Sequence, residues 1–362
     1  MSNLPPSGEI PRGAIRFNTD SNKPELWDGS QWAEFQLSTP NLGRSVDSSL
    51  GSRAVLVAGW TGSANTADSD YWNMASTGNA VDFGDIFSGR RYQAGCSDAT
   101  RGLIFGGFGA QTYTSEIIKI TIASTGSHAT FGQMRNAADD GNEGRLGAAC
   151  WASSTRAIHM GGTNPSSQTD ARILYVTIQA DGNSIDFGDL INGYNFRYGS
   201  ATGNKIRAIA CGGRQEPASS GVNTMQFVTM ATTGNAMEFG DLSTTIDSSS
   251  GTTSNGTRAV IAVNGAPSFT GKALDQIRPA SGGNSYGFGE LSAGRQDGHA
   301  NSCMNTPTRG FFAGGFTPNG STGIKVIDYV MFETEGTAVD FGDLNGVGRS
   351  GAAAFSNSHG GL

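Results

Sequence analysis

Residues 78–86 read Gly-Asn-Ala-Val-Asp-Phe-Gly-Asp-Ile, and close variants of this phrase occur five more times along the chain. They are His128-Ala-Thr-Phe-Gly-Gln-Met, Asn183-Ser-Ile-Asp-Phe-Gly-Asp-Leu, Asn235-Ala-Met-Glu-Phe-Gly-Asp-Leu, Asn284-Ser-Tyr-Gly-Phe-Gly-Glu-Leu and Thr337-Ala-Val-Asp-Phe-Gly-Asp-Leu. The phenylalanines fall at 83, 131, 187, 239, 288 and 341, a period of 48 to 56 residues. Self-similarity on that scale marks an architecture in which each unit needs its neighbours to bury its faces.

Three further runs keep the same beat. An arginine followed by a small residue and an apolar run recurs at Arg53, Arg101, Arg156, Arg207, Arg258 and Arg309, and four of these runs end in Gly-Gly. A third run alternates and is rich in β-branched residues, as in Ile117-Ile-Lys-Ile-Thr-Ile and Val326-Ile-Asp-Tyr-Val-Met. That pattern makes strands rather than helices. A fourth run, of small residues, precedes each arginine, as in Leu146-Gly-Ala-Ala-Cys. Small side chains suit an innermost strand where units converge. Four short strands per unit, six units and no helical stretch predict an all-β, six-bladed β-propeller over residues 44–362. The phenylalanine of each phrase is the expected wedge between units.

The order of small-residue strand, Arg-led strand ending in Gly-Gly, loop, strand, tight turn and aromatic-bearing strand resembles the kelch repeat over residues 44–358. Phe-Gly-Asp stands where a kelch blade usually carries Trp. The repeated Phe-Gly-Asp-Leu phrases further resemble kelch-like propellers of tailed-bacteriophage virion proteins. That resemblance implies a structural part of a virion, assembled in the host cytoplasm.

Residues 1–43 stand outside the repeat and are expected to form an N-terminal arm followed by an aromatic β-hairpin. The arm is Pro-rich, with no basic and apolar stretches of a signal peptide. Residues 13–35 parse as three short strands with an Asn/Asp/Ser turn and an Asp-Gly turn. So small a module needs something to pack against. It carries Phe17, Trp27, Trp32 and Phe35, and resembles the short hairpins of phage tail fibres and other virion appendages. The expectation is that these four aromatics attach the chain to other virion proteins or to a second copy of itself. The alternative is that the hairpin lies on the flank of its own propeller. At the other end, residues 349–358 repeat the small-residue inner strand, as does Arg44-Ser-Val-Asp-Ser-Ser-Leu. The C-terminal copy matches the pattern better and is expected to close the first blade.

Composition narrows the partners. The 362 residues include 54 Gly, and only 15% are charged, with a net charge of −7. Phosphate-backbone binding needs a basic footprint, so nucleic acid is not expected as a partner. No stretch has the length and apolarity of a membrane span. Cys96, Cys150, Cys211 and Cys303 form no Cys-x-x-Cys pair and read as buried free thiols.

Loops that differ from one repeat to the next, set on a common scaffold, are where recognition usually sits. They carry Trp60, Tyr71, Trp72, Phe108, Tyr113, Tyr194, Phe269 and Phe316 among Asn, Gln, Ser and Asp. Such residues suit stacking and hydrogen bonding to sugars, and equally suit packing on a neighbouring protein. Arginines at 44, 90, 145, 197, 295 and 349 open the inner strands. Read as anion ligands they would bind phosphate or acidic sugar. Read as scaffold, Arg90, Arg197, Arg295 and Arg349 pair with Asp85, Asp189, Glu290 and Asp343. The scaffold reading is preferred.

No catalytic residue, metal site or cofactor is expected. The sequence lacks the Asp-box turns of propeller sialidases, and His128, His159, His299 and His359 fall at unrelated repeat positions. Asp139-Asp140-Gly-Asn-Glu143 lacks the spacing that wraps Ca²⁺, and Asp68-Ser-Asp70 is a fragment of one. The expected function is non-enzymatic: a propeller carried on a tail fibre or appendage, oligomeric in the virion, recognising a host surface glycan. The alternatives are a capsid or tail decoration protein and, from another class, a propeller glycan hydrolase.

Overall fold

The computed structural model describes residues 10–18, 23–34, 53–135, 141–166, 169–191, 196–215, 220–247, 250–263, 271–295, 301–317 and 322–358. These residues form thirty β-strands, arranged in many small, mostly antiparallel sheets, with no helix among them. The chain divides into two compact units, Met1–Ser45 and Val46–Leu362.

In the small unit, Ile15–Asn18, Lys23–Trp27 and Trp32–Glu34 form an antiparallel sheet with Ile15 opposite Leu26 and Trp27 opposite Trp32. Asp28 fixes the second turn by accepting hydrogen bonds from the Ser30 and Gln31 amides at 2.7 and 2.8 Å. Those backbone donors hold its carboxyl below the usual range. An aspartate at this position shapes its own turn.

In the large unit each repeat becomes a run of antiparallel strands. The second is ordered Ala94–Ser97, Arg101–Phe105, Glu116–Thr121 and His128–Gln133. The third repeats this with Ala149–Ala152, Arg156–Met160, Arg172–Thr177 and Ile185–Asp189. The first repeat takes its opening strand from the far end of the chain. Ala353–Ser356 pairs with Arg53–Trp60, Ala353 opposite Val57, as expected from the better match of the C-terminal copy. The competing segment, Arg44–Leu50, lies outside the described residues.

The core is not inside any one repeat but between repeats. Phe83 packs among side chains of the first and second, such as Val55 and Ile104. Phe131 does the same for the second and third, Phe187 for the third and fourth, Phe239 for the fourth and fifth, and Phe288 for the fifth and sixth. Phe341 of the sixth packs with Leu56 and Trp72 of the first. All six phenylalanines are 3–4% exposed. Fully burying such a side chain is worth roughly 1.5–3 kcal/mol.

Two backbone devices follow the same order. The carbonyl of each phenylalanine accepts from a glycine amide of the next repeat: Phe83 from Gly126 at 2.6 Å, Phe187 from Gly234 at 2.8 Å, and finally Phe341 from Gly78 at 3.1 Å. The turns come so close that a Cβ on Gly342 would lie 2.5 Å from the Gly78 carbonyl oxygen, which explains the glycine after each phenylalanine. The Arg53-to-Arg309 series supplies the second device. Arg53 donates to the Ile122 and Ala123 carbonyls, Arg156 to Met230 and Ala231, Arg207 to Ala280, and Arg309 to Met74. Each of these four guanidinium groups ties the end of the third strand of the next repeat and stacks on an aromatic of its own, as Arg53 does on Tyr71 at 4.4 Å.

Candidate functional site

Four of the arginines that open the inner strands have carboxylate partners, and for Arg90, Arg295 and Arg349 these are not the expected ones. Arg90 pairs with Glu116 at 2.7 Å, Arg295 with Asp328 at 2.6 Å and Arg349 with Asp70 at 2.9 Å. The expected partners Asp85, Glu290 and Asp343 lie at strand ends where the side chain points outward, whereas the observed ones belong to the third run and reach inward. Arg145 contacts Asp170 at 3.1 Å and Glu143 at 3.4 Å, and Arg172 closes this cluster. Burial pushes Asp70 up to about 6 against the pull of Arg349. With Asp70 held by Arg349, the Asp68-Ser-Asp70 stretch is not a free cation site. Residues 139 and 140 lie outside the described set. Among the described residues no cluster of three or more His, Cys, Asp or Glu has metal-binding geometry.

One arginine differs from its neighbours. Arg91 makes no ion pair and no side-chain hydrogen bond among the described residues, and its Nε is enclosed without a partner. It stacks instead on rings, 4.2 Å from the centroid of Trp60, 5.4 Å from Phe108 and 5.5 Å from Tyr92. Such contacts contribute about 0.5–1 kcal/mol each at exposed sites and leave the charge unneutralised.

Three local structures bring these groups together. Trp60 ends the strand Arg53–Trp60, where it exchanges backbone hydrogen bonds with Ser350 at 2.8 and 2.9 Å. The run from Trp60 to Trp72, expected as a long loop, is a hairpin whose return strand is Asn65–Asn73, closed by a Thr61 turn. Phe108 and Tyr113 face each other at 5.7 Å across a miniature hairpin whose two turn residues, Ala110 and Gln111, have φ of 47° and 62°. The Arg91 and Phe108 backbones hydrogen-bond to each other at 2.7 and 3.0 Å, and Asn65 donates to the Phe108 carbonyl at 3.1 Å.

Beside Arg91, Tyr92 has a φ of 56°, and Tyr198 has the same value at the matching position two repeats on. The corresponding positions in the first and third repeats are Gly351 and Gly147, at 59° and 65°. A left-handed backbone costs a residue with a Cβ about 1–2 kcal/mol. The amides of Tyr92, Gly147 and Tyr198 donate in series to the carbonyls of Gly351, Tyr92 and Gly147 at 2.7, 2.8 and 2.6 Å. The two glycines leave room for the rings: a Cβ on Gly147 would meet Tyr198 at 2.8 Å, and one on Gly351 would meet Tyr92 at 2.9 Å. Tyr92 and Tyr198 thereby meet at 5.1 Å.

Of the eight loop aromatics expected at a binding face, the structure brings Trp60, Phe108 and Tyr113 together. Three are corrected. Tyr71 is half-buried in the core between the first two repeats, edge-on to Phe83 at 6.1 Å. Trp72 is 2% exposed between the sixth and first, and Phe316 is 6% exposed. Tyr71 and Trp72 sit well inside a return strand, not in a loop, which is why they face the core. Tyr194 and Phe269 lie outside the described residues. Arg91, Tyr92 and Tyr198 escaped the sequence reading, although Arg-Tyr occurs at the same repeat position in 91–92 and 197–198.

In the small unit Phe17 is 59% exposed. Trp32 is half-buried beneath Arg16, whose guanidinium lies 4.2 Å from its ring. Trp27 corrects the expectation, since it is only 6% exposed and stacks at 5.4 Å on Trp32. Phe35 lies outside the described residues. Among the described residues no helix is long and apolar enough to cross a membrane. Comparisons of the chain with protein-family models and with curated proteins return no match.

Proposed function

We propose that the large unit is a six-bladed kelch-like β-propeller, and that the chain is a non-enzymatic structural protein of a tailed-phage virion. In this reading a tail fibre or similar appendage carries the propeller through the N-terminal arm and hairpin. The variable-loop face then recognises a host surface glycan. Six successive inter-repeat cores, with Phe341 of the sixth packed against Leu56 of the first, support the propeller. Radial repetition of small sheets protects sheet edges and presents unlike loops on one face.

The observation that carries the recognition role is the grouping of Trp60 and Phe108 about the unpaired Arg91, with Tyr113 edge-on to Phe108. Aromatic faces and a free guanidinium are costly to maintain for packing alone, and together they suit a polar ligand with an apolar face.

A second observation favours decoration instead. Val81, Ile185, Met237, Tyr286 and Val339 occupy one position of the outer strand in five repeats and are 45–57% exposed. Apolar residues spaced in this way suit contacts with neighbouring virion subunits.

Imaging virions labelled with a binder raised against residues 44–362 separates the readings. Signal at fibre ends or the tail tip supports recognition. Signal over the capsid or neck supports decoration, and none on purified particles overturns the virion assignment.

A further inference from the structure

We propose that Arg91, Trp60, Phe108, Tyr92 and Tyr198 form a subsite for a carboxylate-bearing sugar. The inference rests on the reading that this face recognises a glycan, and names the class of sugar.

Charge supplies the first reason. The protein carries a net charge of −7, and the buried Arg90 and Arg349 have carboxylate partners, whereas the half-buried Arg91 has none among the described residues. A planar guanidinium offers two parallel donors to a carboxylate. With Nε enclosed, the terminal nitrogens are the ones left for a ligand.

Shape supplies the second. The guanidinium lies over the Trp60 ring at 4.2 Å and the Phe108 ring at 5.4 Å, so partly exposed flat apolar surface adjoins the charge. A pyranose ring has an apolar C–H face that stacks on such surfaces, whereas a bare phosphate would leave them unused. Strain supplies the third. Tyr92 and Tyr198 both adopt left-handed backbone where the intervening and preceding repeats use Gly147 and Gly351. Costly conformations of this kind persist where the side chain has work to do. Here they set two phenol rings against each other at 5.1 Å, directly beside Arg91.

The test uses the full chain and calorimetric titration with trigalacturonate, maltotriose and inorganic phosphate. Trigalacturonate is expected to bind at least tenfold more tightly than maltotriose. Its affinity is expected to fall at least tenfold in Arg91→Ala and to weaken with added salt. Phosphate is expected not to displace it at equal concentration. Trp60→Ala is expected to weaken it as well, because the stacking face is lost. Should Arg91→Ala not fold, Arg91→Lys keeps the charge but not the fork, and is expected to bind several-fold less tightly. Equal affinity for the acidic and neutral sugars, undiminished binding by both Arg91 variants, or full competition by phosphate would each overturn the subsite. Host-cell adsorption distinguishes this inference from its premise. If the wild-type protein adsorbs and Arg91→Ala adsorbs equally well, recognition stands while the acidic-sugar subsite falls. If the wild type does not adsorb, recognition itself falls.

Discussion

Arg295 and Asp328 form an ion pair at 2.6 Å with neither side chain exposed to solvent. Arg295 also donates to the Gly314 carbonyl at 2.9 Å, and Ser292 donates its hydroxyl to Asp328 at 2.7 Å. The pair therefore joins the loop after the fifth repeat to two strands of the sixth. Burial alone pushes Arg295 below its ordinary range, and the Asp328 carboxylate opposes that shift. Removing one partner leaves a buried charge without compensation. Asp328→Ala should destabilise the protein by about 3–5 kcal/mol. A denaturant melt showing a loss of less than about 1 kcal/mol would mean that water reaches Arg295.

The inter-repeat phenylalanines make a prediction that the sequence alone already suggests. Phe187→Ala should cost roughly 3–5 kcal/mol, as expected for a buried aromatic truncated to Ala. A cost within the ordinary range of surface substitutions, about 0.5 kcal/mol, would remove the wedge role. Glycines give a sharper contrast. Gly342→Ala would place a methyl 2.5 Å from the Gly78 carbonyl, whereas at Gly287 nothing lies within 4 Å. The first substitution should lower the melting temperature and the second leave it nearly unchanged. Equal effects would mean that the sixth and first repeats do not meet as described.

His159 makes stability depend on pH. It is buried against Phe105 with neither ring nitrogen hydrogen-bonded, and burial, reinforced by nearby Arg145, drops it from 6.5 to about 3 while Asp170 opposes the shift. Between those values the unfolded chain binds the proton and the folded one does not. Stability is thus fully present above pH 6.5 and falls as pH drops toward 3, by up to about 1.4 kcal/mol per unit. His159→Leu should flatten this slope, so the gap between variant and wild type should move by about 2–3 kcal/mol in the variant's favour from pH 7.5 to 4.5. Parallel profiles would show that His159 titrates normally.

Cys96 and Cys150 lie on the inner strands of the second and third repeats with sulfurs 2.7 Å apart. Burial holds the Cys96 thiol well above its usual range, so little thiolate is available to react. Iodoacetamide should leave both unmodified in the native protein and alkylate both after unfolding. Rapid native labelling would place these strands in contact with solvent.

Much of the fold was legible in local pattern. The 48-to-56-residue beat, the alternation of the third run and the small residues of the inner strands each encode a strand through the side chains it must present to either face. The phenylalanine wedge was legible too, because one large apolar residue repeated in a polar phrase has to be buried. The site was only partly legible: Trp60, Phe108 and Tyr113 stood out, but Arg91 was hidden behind Arg90, its neighbour in sequence.

The repeated unit is encoded locally: its strands, its tight turns and the residue that fills each gap between units. Which charges are neutralised and which aromatics remain available depends on how the repeats assemble. Arg349 finds Asp70 from the opposite end of the chain, and Trp72 enters the core twelve residues after Trp60 stops at its edge. Strand propensity and side-chain alternation act over a few neighbouring residues, whereas ion pairing and burial depend on distances set when the repeats come together.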